Sequence, residues 1–140
     1  MQSALDISTS ALVAQRLRLN TVSGNVANLT TLVDEEGKAS PYRARYPVFQ
    51  VDETMTGDTG AAGVKVSTVE TDQSEPLYRY QPEHPLALKV GQWKGYVAYP
   101  NIDMTTQMVD ALEATRAYEA NVGVIEITKG LSRQSLQIIA

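Results

Sequence analysis

The chain of 140 residues has no cysteine and only one histidine, one tryptophan and one phenylalanine. Without cysteine there is no disulfide, no cysteine-ligated zinc and no thiol chemistry, and the chain is indifferent to redox conditions. Aromatics make up 6% of the residues, so any core rests on Leu, Ile, Val, Ala and the seven tyrosines. Basic clusters are missing too. A formal net charge of -4 offers none of the phosphate neutralisation on which nucleic-acid binding depends. No apolar run approaches the roughly 18 to 20 residues that cross a bilayer, so membrane insertion is not expected. The opening Met1-Gln2-Ser3-Ala4-Leu5-Asp6 has no basic stretch followed by an apolar one, so no cleaved secretory signal is expected.

What is present is a pair of long periodic segments at the two ends. Leu5, Leu12, Leu19 and Val26 recur at seven-residue spacing, which predicts a helix over 2–31. Ser3 or Asp6 could cap its start, and Gln15, Arg16, Arg18 and Asn20 fall on the opposite, polar face. Ala117, Val124, Leu131 and Ile138 form a second seven-spaced row, within a stronger helix predicted over 103–138. Asn101 or Asp103, just past Pro100, is the candidate N-cap. At 1.5 Å per residue the second helix would span about 54 Å, long for so small a domain.

Between them the pattern changes. Asp34-Glu35-Glu36-Gly37-Lys38 is a polar loop signal, and alternation over 46–51, 64–71 and 96–99 predicts short strands. Pro47 pushes the first of these to an edge. The expected fold is mainly α with a small β insert, its long terminal helices packed as a coiled-coil-like pair. One structural unit would then divide into an N-terminal assembly helix (1–31), a loop and β-rich insert (32–102) and a C-terminal assembly helix (103–140).

Chemistry is hard to find. His84, in Pro82-Glu83-His84-Pro85, could act as a base with Glu83 or Asp72, as in a small hydrolase, but flanking prolines more simply mark a rigid turn. The acidic run at 34–36 lacks the spaced ladder of a calcium loop. Asn28-Leu29-Thr30 matches a glycosylation sequon but falls inside the predicted helix, and the glycines of 57–63 lack the lysine of a phosphate loop. No catalytic, cofactor or metal site is expected, and no small-molecule substrate. Partners are expected instead, because the insert has too few large apolar residues to cover helices of this length. The residues expected to meet them are Leu5, Leu12, Leu19, Asn25, Val26 and Asn28 on the first helix. On the second they are Arg116, Tyr118, Asn121, Val124, Ile125, Leu131 and Ile138. A buried Asn among these would fix register, as one polar residue in a bundle core can. Arg116 and Glu119, three apart, could pair along one face.

Several blocks make the sequence recognisable. They are Ala4-Leu5-Asp6-Ile7-Ser8 through Ser23-Gly24-Asn25-Val26-Ala27-Asn28; Pro41-Tyr42-Arg43; Asp72-Gln73-Ser74 with Pro76; Tyr80-Gln81-Pro82-Glu83-His84-Pro85; Gly95-Tyr96-Val97-Ala98-Tyr99-Pro100-Asn101; and Arg116-Ala117-Tyr118-Glu119-Ala120-Asn121. In order and spacing the chain resembles the axial rod, hook and filament-type proteins of the bacterial flagellum, most closely their proximal-rod members. It departs from that pattern at Leu86-Ala87-Leu88-Lys89-Val90-Gly91-Gln92-Trp93-Lys94, where the family commonly has an acidic stretch. The resemblance implies a structural role in the rod that crosses the periplasm as a drive shaft, and export by the flagellar type III apparatus. Its implied partners are copies of the chain, other proximal-rod subunits, the distal rod and the connector to the membrane ring. Another axial protein of the same apparatus is the nearest alternative.

Overall fold

In a computed structural model, residues 2–57 and 60–139 are described. Helix α1, Gln2–Ala27, is followed by strands β1 (Arg45–Thr56), β2 (Ala62–Thr71), β3 (Leu77–Tyr80) and β4 (Tyr96–Tyr99), and then by helix α2, Met104–Ile139. The architecture is mainly α with a small β region, as the periodicity suggested. β3, which alternation did not reveal, forms a separate two-stranded sheet with β4.

α1 stops short of the expected residue 31 for a local reason. Asn28 donates its side-chain amide to the Gly24 carbonyl at 2.9 Å and accepts the Thr31 hydroxyl at 2.9 Å. Its side chain thereby takes over a carbonyl at the helix end, and the sequon lies in this turn instead of inside the helix. At the other end α1 already begins at Gln2, so Asp6 sits within the helix and is not its cap. The side chain of the other candidate, Ser3, is outside the described residues.

α1 is the centre of the molecule, packed against α2 on one side and the β1–β2 hairpin on another. The helices run antiparallel: Asn25 meets Gln107, and Arg18 meets Asp110 and Glu113. The hairpin is antiparallel from Arg45 opposite Thr71 to Asp52 opposite Gly63, and its register shifts at Val48/Phe49, one residue after Pro47. That bulge interrupts alternation, so Pro47, Val48 and Phe49 are all half-buried in succession. Where the hairpin crosses α1, the Ser10 hydroxyl oxygen accepts the Val64 N–H at 3.0 Å. Gly63 permits the approach, since a Cβ there would stand 3.0 Å from Ser10 Oγ and 3.1 Å from Met55 Cβ.

Very little of the chain is interior. Among the described residues the buried apolar side chains are Ala14, Val22, Val97 and Ala114, none larger than valine. The seam of α2 is buried or half-buried at Gln107, Ala111, Ala114, Tyr118, Asn121, Ile125 and Thr128, alternately four and three residues apart. Apart from Tyr118 and Ile125 its side chains are small or polar.

Candidate assembly surfaces

Several of the blocks that carry the family resemblance, scattered in sequence, meet at one junction around Asn25. Asn25 is 2% exposed, and its amide uses its full hydrogen-bonding capacity. Nδ2 donates to the Arg45 carbonyl at 2.8 Å and to Gln107 Oε1 at 3.0 Å. Oδ1 accepts the Arg45 N–H at 2.9 Å and the Tyr42 hydroxyl at 3.3 Å. One residue thus joins α1, the start of β1 and the first turn of α2. Beside it, Pro41, Tyr42 and Arg43 line a small cleft with Asp72, Ser74, Pro76, Tyr99, Pro100 and Asn101. Asn101 donates to Ser74 Oγ at 3.3 Å and to the Glu75 carbonyl at 3.1 Å, tying the entry of α2 to the segment before β3.

Ionic contacts continue the junction along the helix pair. The Arg18 guanidinium forks between Asp110 and, at 3.1 Å, Glu113. Its hydrogen bond to Asp110 raises its pKa above the ordinary arginine value; burial opposes this, and the charge of Asp110 and the hydrogen bond and charge of Glu113 add to it. The sequence reading put Gln15, Arg16, Arg18 and Asn20 on a solvent face. Only Arg16 and Asn20 are exposed; Gln15 and Arg18 are half-buried. A long arginine stem packs on apolar neighbours while its head finds carboxylates three residues apart on the facing helix.

Asp103 caps α2. Its carboxylate accepts the Thr106 hydroxyl at 2.6 Å, the Thr106 N–H at 3.0 Å and, more weakly, the Thr105 N–H at 3.4 Å. These bonds, the Thr106 hydroxyl first, hold its pKa below the ordinary 3.8, against a small desolvation effect. Asp72 is lowered in the same direction, by the Ser74 N–H and hydroxyl and then by the charge of Arg43. A depressed carboxylate contributes stability above its unfolded-state pKa, and the contribution is lost as pH falls through the folded value. Stability should therefore hold from neutral pH down to the ordinary value of 3.8 and decline below it. Asp103→Asn keeps a capping oxygen but cannot take up the proton, so its acid-unfolding curve, followed by circular dichroism, should be shallower.

The residues expected to meet partners fall into three groups. Asn25 and Asn28 are engaged within the chain, and Asn121 donates to the Ala117 carbonyl at 2.8 Å. Leu5, Leu12, Leu19, Val26, Tyr118 and Ile125 are half-buried. Arg116, Val124, Leu131 and Ile138 are exposed, Leu131 at 56% and Ile138 at 82%. The Arg116–Glu119 pair does not form among the described residues, and both side chains point to solvent; holding two exposed long side chains together gains little. Val109, Leu112 and Ile127 add to the outward apolar surface of α2.

His84 serves its turn: Nδ1 accepts the Leu86 N–H at 3.1 Å. Asp34 likewise closes its own loop, accepting the Glu36 and Lys38 N–H groups at 3.0 and 2.8 Å. Among the described residues no cluster of three His, Asp or Glu could hold a metal. In the 86–94 segment, Trp93 stacks on Tyr78 with ring centroids 4.4 Å apart and meets Tyr96 edge-on at 5.4 Å. Sequence reasoning missed the roles of Gln107, Asp110, Glu113 and Ser10. The placing of a cation amid the apolar residues of α1 was the one signal pointing to an acidic partner on α2.

Comparison with known proteins fits this geometry. Residues 5–31 match the family described as flagella basal body rod protein, and residues 94–138 match flagellar basal body rod FlgEFG protein C-terminal. Those matches cover most of the two helices. Relatives over the whole chain are more specific. The flagellar basal-body rod protein FlgC of Yersinia enterocolitica is 41% identical, over 95% of this chain and 93% of its own. That of Bacillus subtilis is 37% identical over 96% and 95%, and that of Borreliella burgdorferi 34% over 98% and 96%.

Proposed function

The chain belongs to the flagellar basal-body rod protein FlgC family, and on that premise we propose that its terminal helices build it into the proximal rod. It is a structural subunit of the basal-body rod and not an enzyme. One observation carries the assembly reading. The subunit leaves Val124, Leu131 and Ile138 exposed, while the α2 seam it covers has only Tyr118 and Ile125 as large apolar side chains. Each large side chain covered on assembly contributes roughly 1.5–3 kcal/mol, which the isolated subunit forgoes.

The helix pair 1–31 and 103–140 then acts as a coiled-coil-like assembly unit, and 32–102 as an insert carried on it. Leu5, Leu12, Leu19, Val26, Tyr118 and Ile125 support the pair from its margins. Arg116, Val124, Leu131 and Ile138 meet neighbours, and Asn25, Asn28 and Asn121 hold the helices in position. The neighbours are copies of the chain, other proximal-rod subunits, the distal rod and the connector to the membrane ring. The rod lies in the periplasm and passes torque through packed helices.

Deleting the gene should stop rod completion and swimming without slowing growth. Complementation with Val124→Asp plus Leu131→Asp should yield a folded chain that does not copurify with basal bodies, and cells that do not swim. Normal swimming with the double variant would overturn the proposal. These positions are exposed in the subunit, so helix content by circular dichroism should match the parent.

A further inference from the structure

α2 is longer than α1, and the difference leaves a tail. Pairing Asn25 with Gln107 and Arg18 with Asp110 and Glu113 in an antiparallel register puts Gln2 opposite roughly residue 130. The last turns of α2 therefore run past the end of α1. That tail exposes Leu131, Leu136, Ile138 and Ile139, and its charges are Lys129 and Arg133, with no carboxylate side chain from Ile127 onward.

Elsewhere on the subunit is a groove of about 680 Å³ between α1 and the β1–β2 hairpin. Its apolar lining includes Val13, Ala14, Leu17, Met55, Val64 and Val66, and its rim carries Asp6 and Asp52. Asp52 is already served by Lys65 at 3.7 Å and by the Thr54 hydroxyl at 2.7 Å. Asp6 is exposed, and no ion pair to it is found among the described residues. The face of α1 that lines the groove, from Asp6 to Leu17, is about 17 Å long, and the tail about 14 Å.

We infer that the groove between α1 and the hairpin is the seat for the α2 tail of a second copy of this chain, with the Leu136 side of the tail inward and Arg133, three residues before it on that side, set against Asp6. Length, apolar character and charge all match between seat and tail. A tail-to-groove contact between copies is heterologous, and unless its rotation closes a ring it extends an assembly. The inference rests on the assembly reading above and gives one of its contacts an address.

The absence of cysteine makes a direct test simple. Val13→Cys and Leu136→Cys, both at exposed positions, are prepared separately in the full-length chain, mixed at high concentration and oxidised. The mixed disulfide should exceed either homodimer by about tenfold, since bound neighbours raise the local thiol concentration. Arg133→Glu should reduce the mixed product, and Asp6→Arg in the other partner should restore it. Homodimers of Leu136→Cys as abundant as the mixed species would mean that tails pair with tails, and would overturn the inference. So would a statistical mixture, or oligomers formed without the mixed link. Each of these could occur with the chain still found in basal bodies, so failure here is separable from failure of the rod assignment.

Discussion

Asn25→Ala should lower stability by about 3–5 kcal/mol, because it strips partners from groups that stay buried. The Arg45 N–H and carbonyl, the Tyr42 hydroxyl and Gln107 Oε1 all bond to this one amide. Truncation to Ala leaves them facing a small cavity. Asn25→Asp separates polarity from size: it has nearly the same shape but cannot donate, so two acceptors would confront an anion. Both variants should lower Tm by at least about 10 °C, and Asp should be no better than Ala. If either variant melted with the parent, Asn25 would not be the joint that fixes helix register.

Arg18→Glu is expected to cost about 2–4 kcal/mol and to loosen α2 from α1 without unfolding the hairpin. It places a third carboxylate beside Asp110 and Glu113. Arg18→Lys should lie between it and the parent, because an ammonium cannot fork between two acceptors. Salt should soften the effect in part, since Glu113 is exposed while Arg18 is half-buried. Because the Arg18 pKa is raised in the folded chain, its contribution is complete below the unfolded-state value and is lost only as pH climbs through the folded one. Alkaline conditions short of that extreme should therefore leave the pair intact. A double-mutant cycle with Asp110→Asn, read by chemical denaturation, measures the coupling; a coupling near zero would contradict it.

Both predictions concern contacts that the sequence could not place. The two helices and the hairpin strands were legible because each has its own period or alternation, and α1 missed its boundary only where Asn28 intervenes. The motif blocks identified the family, but their work was not visible. Pro41-Tyr42-Arg43, Asp72-Gln73-Ser74, Tyr99-Pro100-Asn101 and Asn25 lie far apart in sequence and become one junction only when folded. Of the three Asn, Asn25 is buried and bonds to Gln107 of the facing helix, whereas Asn28 bonds within the turn that ends its helix and Asn121 bonds back along its own.

The seven-residue rows show where sequence ends and tertiary structure begins. Residue by residue, the chain determines that α2 is a long helix with an apolar stripe, because local periodicity and capping are properties of neighbours along the backbone. Which stripe faces its own partner was decided only by folding. Ala117, Val124, Leu131 and Ile138 make the strongest row, yet Val124, Leu131 and Ile138 face outward, and the seam with α1 runs through Gln107, Ala114, Asn121 and Thr128 instead. Periodicity reports that a surface favours burial. It carries no information on what buries it, and in this chain the inner face mixes small and polar side chains with Tyr118 and Ile125 and leaves Val124, Leu131 and Ile138 outside.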